Sequence, residues 1–446
     1  MKKRLLVALI IPLLVTGMAQ AEVLSRAQAV AIALQANPEV MKSREQLRYL
    51  DGRIMEEKSN ALPDVSASGN SLRYTDPSFL NSAGLSKMPP EFLTALRPVA
   101  QNSFDGGLTV RQTLYSFKLG KAIKAAKTAR LLGGADLDRA RQQIALDTVQ
   151  AYNALLYSIE QERVQRNAFE QREKHLEMTR NRRQAGVATE LDVLRAEVSM
   201  ENQRAAVTQA EGGVELARAQ LNALMLRDMD APITPSDNLS YAPEDHALED
   251  IVRAAMVNRP DLHVAKLTED VRKELVGVTK ANSMPSFDFT GNYGRSTRLI
   301  SNFVDPDFSK WSAAVSVKIP IFDGRRVKGQ VQQAQADLGK ARQDTIALQN
   351  QIRLQAMDAL VKLNVSAKLI TAAQLNVDQA KKALDMTQAN YNYGAATVLD
   401  VTDAQNAVLQ AETTLAQALQ QHADAKAMVN YVMGLNPAGT NEDNTK

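Results

Sequence analysis

The chain has 446 residues, a formal net charge of +3, no cysteine, and four histidines that lie far apart in sequence. Absence of cysteine excludes disulfides, thiolate metal sites and a lipid-carrying N-terminal cysteine. The scattered histidines offer no zinc spacing, and the near-neutral balance supplies no basic stripe for nucleic acid. Aromatic residues make up 5%, while Ala, Gln, Leu, Lys and Glu dominate, as in long helices and coiled coils.

The N-terminus reads as an address. Lys2-Lys3-Arg4 is followed by an apolar run from Leu5 to Val15 and by Ala19-Gln20-Ala21, so residues 1–21 are expected to be a cleaved secretory signal. That apolar run is shorter than the roughly 20 residues of a spanning helix, and no later stretch could cross a bilayer as a helix.

From Glu22 the chain runs through one order of elements twice, giving a first repeat over 22–226 and a second over 250–436. An amphipathic helix ends at Asn37-Pro38 and resumes to Leu62-Pro63; the second copy has Asn258-Arg259-Pro260-Asp261-Leu262 and Met284-Pro285, each proline 222 residues on. After these prolines the period changes from helical to two. Strands are expected at about 64–74 and 107–115, then at about 286–296 and 311–321. Phe287, Phe289, Gly291 and Tyr293 fall on one face, with Asp288, Thr290 and Asn292 on the other; Trp311, Ala313, Val315 and Val317 oppose Ser312, Ser316 and Lys318. Such alternation over about ten residues marks a barrel strand with one greasy and one wet face. Thr75 to Ser103 and Thr297 to Lys310 read as loops.

Long helical hairpins follow at about 118–226 and 325–435. Their turns match: Gly186-Val187-Ala188-Thr189 and Gly394-Ala395-Ala396-Thr397 stand 208 residues apart, as do Leu191-Asp192-Val193 and Leu399-Asp400-Val401. Both returning helices carry a heptad in one register, with Val401, Val408, Leu415, His422 and Val429 on one seam position and Ala404, Ala411, Ala418, Ala425 and Val432 on the other, so they are built to pack on other helices. His422 is expected to be a packed core histidine. Residues 227–249, rich in Pro, Asp and Ser, read as a linker and 437–446 as a disordered tail. Four strands cannot close a barrel, for which eight is the practical minimum; three chains would supply twelve. The expected fold is therefore mainly α with a β-barrel: a duplicated helix-strand-strand-helix-helix repeat, forming a trimeric twelve-stranded outer-membrane barrel and a long periplasmic coiled-coil α-barrel.

The order and double occurrence of Asn258-Arg-Pro-Asp-Leu262, Pro320-Ile-Phe-Asp-Gly324, the Gly186 and Gly394 turns and the two Leu-Asp-Val runs resemble the TolC-like outer-membrane efflux proteins over the whole mature chain. The resemblance implies a homotrimeric channel-tunnel in outer-membrane lipid that serves as passive exit duct for an inner-membrane pump. A periplasmic adaptor (membrane fusion protein) would dock at the tips, Gly186 to Thr189 and Gly394 to Thr397. It also implies that Asp400 and Asp403, three apart on one helix face, line the periplasmic entrance as carboxylate rings that favour cations. The plain reading of acids just inside a helix N-terminus is that they suit the macrodipole. Relatives of the best-known kind tie the closed tip with a second-turn arginine, where this chain has Ala396. Asp192, with the Tyr391 hydroxyl as partner, and Arg195, which stands where the second copy has Asp403, are the candidates for a substitute latch.

Two other readings stand beside this one. The same fold serves as exit duct of type I protein secretion, with an ABC exporter as the inner-membrane partner. A soluble periplasmic coiled-coil adaptor is a different class, but adaptors need one hairpin where this chain has two. With no nucleophile elbow, metal cluster or phosphate loop, no enzyme and no cofactor are expected.

Overall fold

A computed structural model describes residues 22–76, 89 and 100–439. The N-terminal address, most of the Thr75–Ser103 loop and the tail beyond 439 lie outside the described residues. The chain divides into two compact units, one of residues up to 44, 135–262 and 347 onward, the other of 45–134 and 263–346. Each unit takes stretches from both repeats, so the spatial division cuts across the duplication.

The first unit opens with a short strand, β1 (Glu22–Leu24), paired in parallel with β4 (Ile233–Pro235), so part of the expected 227–249 linker is a sheet partner of the N-terminal segment. Ser25 caps α1 (Arg26–Ala36) in a capping box with Gln28. Asn37 then breaks the helix, and α2 (Pro38–Ser59) begins with proline at its first position, where the missing N–H costs nothing. The second copy repeats this with α5 (Leu248–Asn258) and α6 (Pro260–Lys280). Where the first copy has buried Asn37 bonding the Leu224 carbonyl at 3.0 Å, the second has Arg259, forked onto Asp261 at 2.9 and 2.6 Å and onto Gln355 at 2.7 Å.

Around Arg259 lies an apolar core: Ile251 and Ala255 of α5, Leu262, then Ile352, Ala356, Ala359 and Leu363 of α7 (Arg326–Asn392), and Ala425, Val429 and Val432 of α8 (Val398–Val432). The α8 members are heptad seam residues, and Val401, Val408, Ala411 and Ala418 are buried as well. His422 is buried, its Nδ1 3.1 Å from the Ser366 hydroxyl and its Nε2 3.4 Å from the Ala242 carbonyl. On the first-copy return helix, α4 (Glu190–Leu224), the equivalents Val193, Ala196, Met200, Val214, Ala217 and Leu221 are buried. Its partner α3 (Phe117–Gln184) is one helix of 68 residues.

The second unit holds an antiparallel sheet in the order β2 (Asp64–Tyr74), β3 (Gln101–Ser116), β5 (Ser286–Thr297) and β6 (Ser309–Lys318). Helix α2 leads into β2 and α6 leads toward β5, whereas α3 follows β3 and α7 follows β6. β3 starts at Gln101, six residues before the expected start, and β6 stops at Lys318, because Pro320 has no N–H to donate to the ladder. Register puts Tyr293 opposite Trp311, Phe289 opposite Val315 and Phe287 opposite Val317, giving one apolar face. A bulge at Leu114 brings Tyr115 opposite Phe287. On the other face polar groups bond across strands: Thr109 to Asn292 at 2.9 Å, Asn292 to Ser312 at 3.2 Å and Thr113 to Asp288 at 2.9 Å. In water the apolar face would be a liability, since Trp311 is 78% exposed. Among the described residues no helix is long and apolar enough to cross a membrane.

Candidate functional site: the hairpin tips

Both hairpins close by the same chemistry. Gly186 takes φ +77° and Gly394 φ +81°, a region that charges side-chain-bearing residues a steric cost. Gly186 N–H bonds the Arg183 carbonyl and Val187 N–H the Arg182 carbonyl, both at 2.9 Å; Gly394 and Ala395 bond Tyr391 and Asn390 at 3.0 and 2.8 Å. These are the paired bonds of a Schellman ending, which satisfy carbonyls the helix leaves over. Thr189 and Thr397 then cap α4 and α8. Each hydroxyl accepts the N–H of the aspartate three residues on, at 3.2 Å. Asp192 and Asp400 return the bond, accepting the threonine N–H at 2.9 and 2.7 Å and its hydroxyl at 2.7 Å.

Asp192 and Asp400 are thus the acidic halves of two capping boxes, and the helix N-terminus favours their charge. The threonine N–H and then its hydroxyl hold both carboxyls below the usual range; the Arg195 guanidinium adds a smaller push on Asp192. Asp400 stays exposed despite its bonds, and Asp403 is exposed one turn further along. The two remain a pair of solvent-facing charges just inside the turn.

Tyr391 has a different partner from the one expected. It is 4% exposed, packed on Val398, Val401 and the half-buried Ala396, with its hydroxyl 3.4 Å from the Thr179 hydroxyl of α3. Its ring lies 5.4 Å from that of His175. Asp192 is occupied by Thr189, and Tyr391 is not its partner within the chain. A methyl group at 396 suits this seat.

Within the chain, Arg182, in the last turn of α3, joins the two hairpins. Its guanidinium stacks 4.6 Å from the Tyr391 ring centroid, while Nη1 donates to the Tyr391 carbonyl at 2.8 Å and the Asn392 carbonyl at 3.2 Å. Further along, Arg172 bonds the Ser199 carbonyl of its own hairpin at 3.1 Å and Asn406 of the other at 2.7 Å. The sequence did carry a signal, since Arg182 stands where the second copy has Asn390 and so breaks the repeat. It gave no hint of the distance across.

His175 is 2% exposed and neither ring nitrogen has a hydrogen-bond partner among the described residues. Burial pushes its pKa below the ordinary 6.5. Arg172 and Arg182 lie on its own helix and Tyr391 faces it from α7, so no carboxylate among these neighbours would compensate an imidazolium. With the buried pKa depressed, the contact is fully stabilised above pH 6.5 and weakens as pH falls below it. Disulfide trapping between Thr179→Cys and Tyr391→Cys would be uninformative, because it removes the contact. Hydrogen-exchange protection factors at the tips, corrected for intrinsic exchange, should therefore fall from pH 7.5 to 5.5, and His175→Phe should flatten that fall.

The tips themselves are apolar on the outside: Tyr393 is 89% exposed and Val187 63%. The same turn chemistry is thus used twice, with an exposed apolar tip and a pair of carboxylates just inside the second turn.

Known proteins fit this geometry. The Escherichia coli (strain K12) outer membrane protein TolC is 23% identical over 433 residues, covering 94% of this chain and 81% of that protein. Nodulation protein T of Rhizobium leguminosarum bv. trifolii is 22% identical over 412 residues, covering 90% and 83%. The crystal structure of the Campylobacter jejuni CmeC outer membrane channel superposes with a TM-score of 0.79 at 18% identity, covering 92% of this chain and 85% of that one. The outer membrane protein VceC of Vibrio cholerae gives 0.77 at 18% identity, covering 92% and 96%. Finally, the family model described as outer membrane efflux protein matches residues 29–225 and 251–435, one match per repeat, and the chain belongs to that family.

Proposed function

We propose that this chain is the passive outer-membrane exit duct of a tripartite efflux system, working as a homotrimer that meets a periplasmic adaptor, and through it an inner-membrane pump, at its hairpin tips. The observation that carries this reading is the pair of identically built tips, Gly186–Thr189 and Gly394–Thr397, on a chain whose sheet has one wet and one apolar face. Two features support the trimer. The outer strands β2 and β6 each have one edge unpaired within the sheet, and closure across copies would satisfy those backbone groups in lipid. On α7, Leu354, Met357, Val361, Val365 and Leu369 recur every three or four residues and all stay exposed, an apolar stripe suited to a neighbouring copy.

The docking reading is tested at positions that leave the caps intact. Thr189 and Thr397 are poor choices for cysteine because each holds a helix N-terminus. Val187→Cys and Ala395→Cys are exposed. In cells, crosslinking from both should capture an inner-membrane-anchored periplasmic protein; crosslinks confined to other copies of this chain would overturn the reading. The entrance is tested separately. Asp400→Ala with Asp403→Ala should raise conductance and weaken block by multivalent cations in planar bilayers, since the ring of charge goes while Thr397 keeps its hydroxyl. Unchanged block would remove both aspartates from the entrance.

A further inference from the structure

The second unit contains a cleft of about 820 Å³ where α3, α6 and α7 run beside one another near the sheet. Its walls carry Lys121 and Lys124 of α3, Lys273 and Lys280 of α6, and Arg342 of α7, against a single acid, Glu274. That carboxylate is nearly buried and already taken, 2.7 Å from Lys124 and 3.9 Å from Lys121. The Lys121 stem reaches it by crossing Gly277, where a β-carbon would stand 3.3 Å from Cδ. Lys273, Lys280 and Arg342 form no ion pair among the described residues. The cleft therefore holds a surplus of four positive charges with three cations unmatched. Stability does not ask for this, because like charges gathered in a concavity repel one another.

Its position says what would neutralise it. Phe117, on the rim, directly follows the last residue of β3, and Met284 lies just ahead of β5. The Phe117 ring meets Tyr115 edge to face at 5.1 Å, and Tyr115 lies 6.3 Å from Phe287. Phe287 belongs to the apolar face of the sheet, through its pairing with Val317. The cleft thus borders the apolar side of the sheet, at an end where that side carries aromatic residues. Aromatic side chains mark the headgroup level of a bilayer, and lysine stems lie along apolar surface with their ammonium groups raised toward phosphates. Basic pockets at this depth hold anionic headgroups.

We propose that this cleft binds the phosphodiester headgroup of an anionic phospholipid in the periplasmic leaflet, with the acyl chains lying along Tyr115, Phe287 and Val317. The volume is far more than one free phosphate needs, and the aromatic rim gives a soluble anion nothing to contact. A lipid uses both halves of the site: the cations take its phosphate and the rim takes its glycerol and first methylenes.

The test uses the full-length protein purified in mild detergent. Native mass spectrometry would count retained phosphatidylglycerol and phosphatidylcholine during graded delipidation. Wild type should keep phosphatidylglycerol selectively, and Lys273→Gln with Lys280→Gln and Arg342→Gln should weaken it roughly a hundredfold, as expected for three juxtamembrane cations. If that triple variant does not assemble, Arg342→Gln alone should still weaken retention, about fivefold on the same scale. Equal retention of the two lipids, or variants that retain phosphatidylglycerol as well as wild type, would overturn the assignment. A third arm adds millimolar inorganic phosphate. Displacement of the lipid by phosphate at that concentration would make the cleft a general anion site and not a lipid site.

Discussion

Arg182→Ala is expected to raise single-channel conductance in planar bilayers and to increase the fraction of time spent open. The residue contributes two bonds to carbonyls at the end of α7 and a stacked guanidinium on Tyr391, all between the hairpins. Each charge-assisted bond is worth about 1.5–3 kcal/mol when formed, but the α7 carbonyls can turn to water once freed, which returns much of that. With a cation–π contribution of about 1 kcal/mol at a partly buried site, a net loss on the order of 2 kcal/mol is expected. Since each 1.4 kcal/mol is tenfold in an equilibrium, the arrangement with the hairpins joined should lose more than tenfold in weight. Arg182→Lys separates the contributions: it keeps a cation near the ring, but lacks the flat guanidinium that stacks on Tyr391 while its Nη1 donates to both carbonyls. Its conductance should fall between the other two. If Arg182→Ala behaves as wild type, Arg182 is not a latch, whatever its geometry.

The second large effect is on stability. In Arg259→Ala a side chain only 4% exposed is lost, and Asp261 and Gln355 lose their shared partner. Breaking one side of a buried pair costs on the order of 3 kcal/mol, because the remaining charge stays desolvated. Asp261 is 23% exposed and keeps the Leu262 N–H at 2.8 Å, so the low end of that range applies. In a chain of this size the thermal midpoint should fall on the order of 5 °C. Arg259→Met with Asp261→Leu should recover most of the loss, since neither charge then remains to be solvated. A double variant no better than Arg259→Ala would mean that the position is held by the Tyr431 ring, 5.5 Å away, and not by the ion pair.

These two arginines differ in how far sequence reveals them. Arg259 sits in Asn-Arg-Pro-Asp-Leu, a local break between helices whose partner Asp261 is two residues away. Arg182 acts on residues 209 and 210 positions later, and no local pattern carries that distance. The strands and seams were legible because one buried face imposes a period of two or of a heptad, which composition cannot hide. β1 and β4 have three residues each, too few for any period to show. The tips were half legible. Their glycines announce the turn, whereas Asp192 and Asp400 look alike whether they serve a cap, an entrance or both. Only the threonine bonds reveal that the cap is real in each copy. Asp403 has no such bond, and only its charge and its place one turn inside the tip set it apart.

The uncovered margins of the sheet have a consequence for biogenesis. A newly exported chain must cross an aqueous compartment carrying two bare strand edges about ten residues long and an apolar face topped by Trp311. Such edges pair readily with whatever strand comes near. If the sheet closes only across copies, insertion and assembly are one step, because open strand edges do not occur in the hydrocarbon of a bilayer. If copies close the sheet together, a copy able to join but unable to close would disable the assembly it entered.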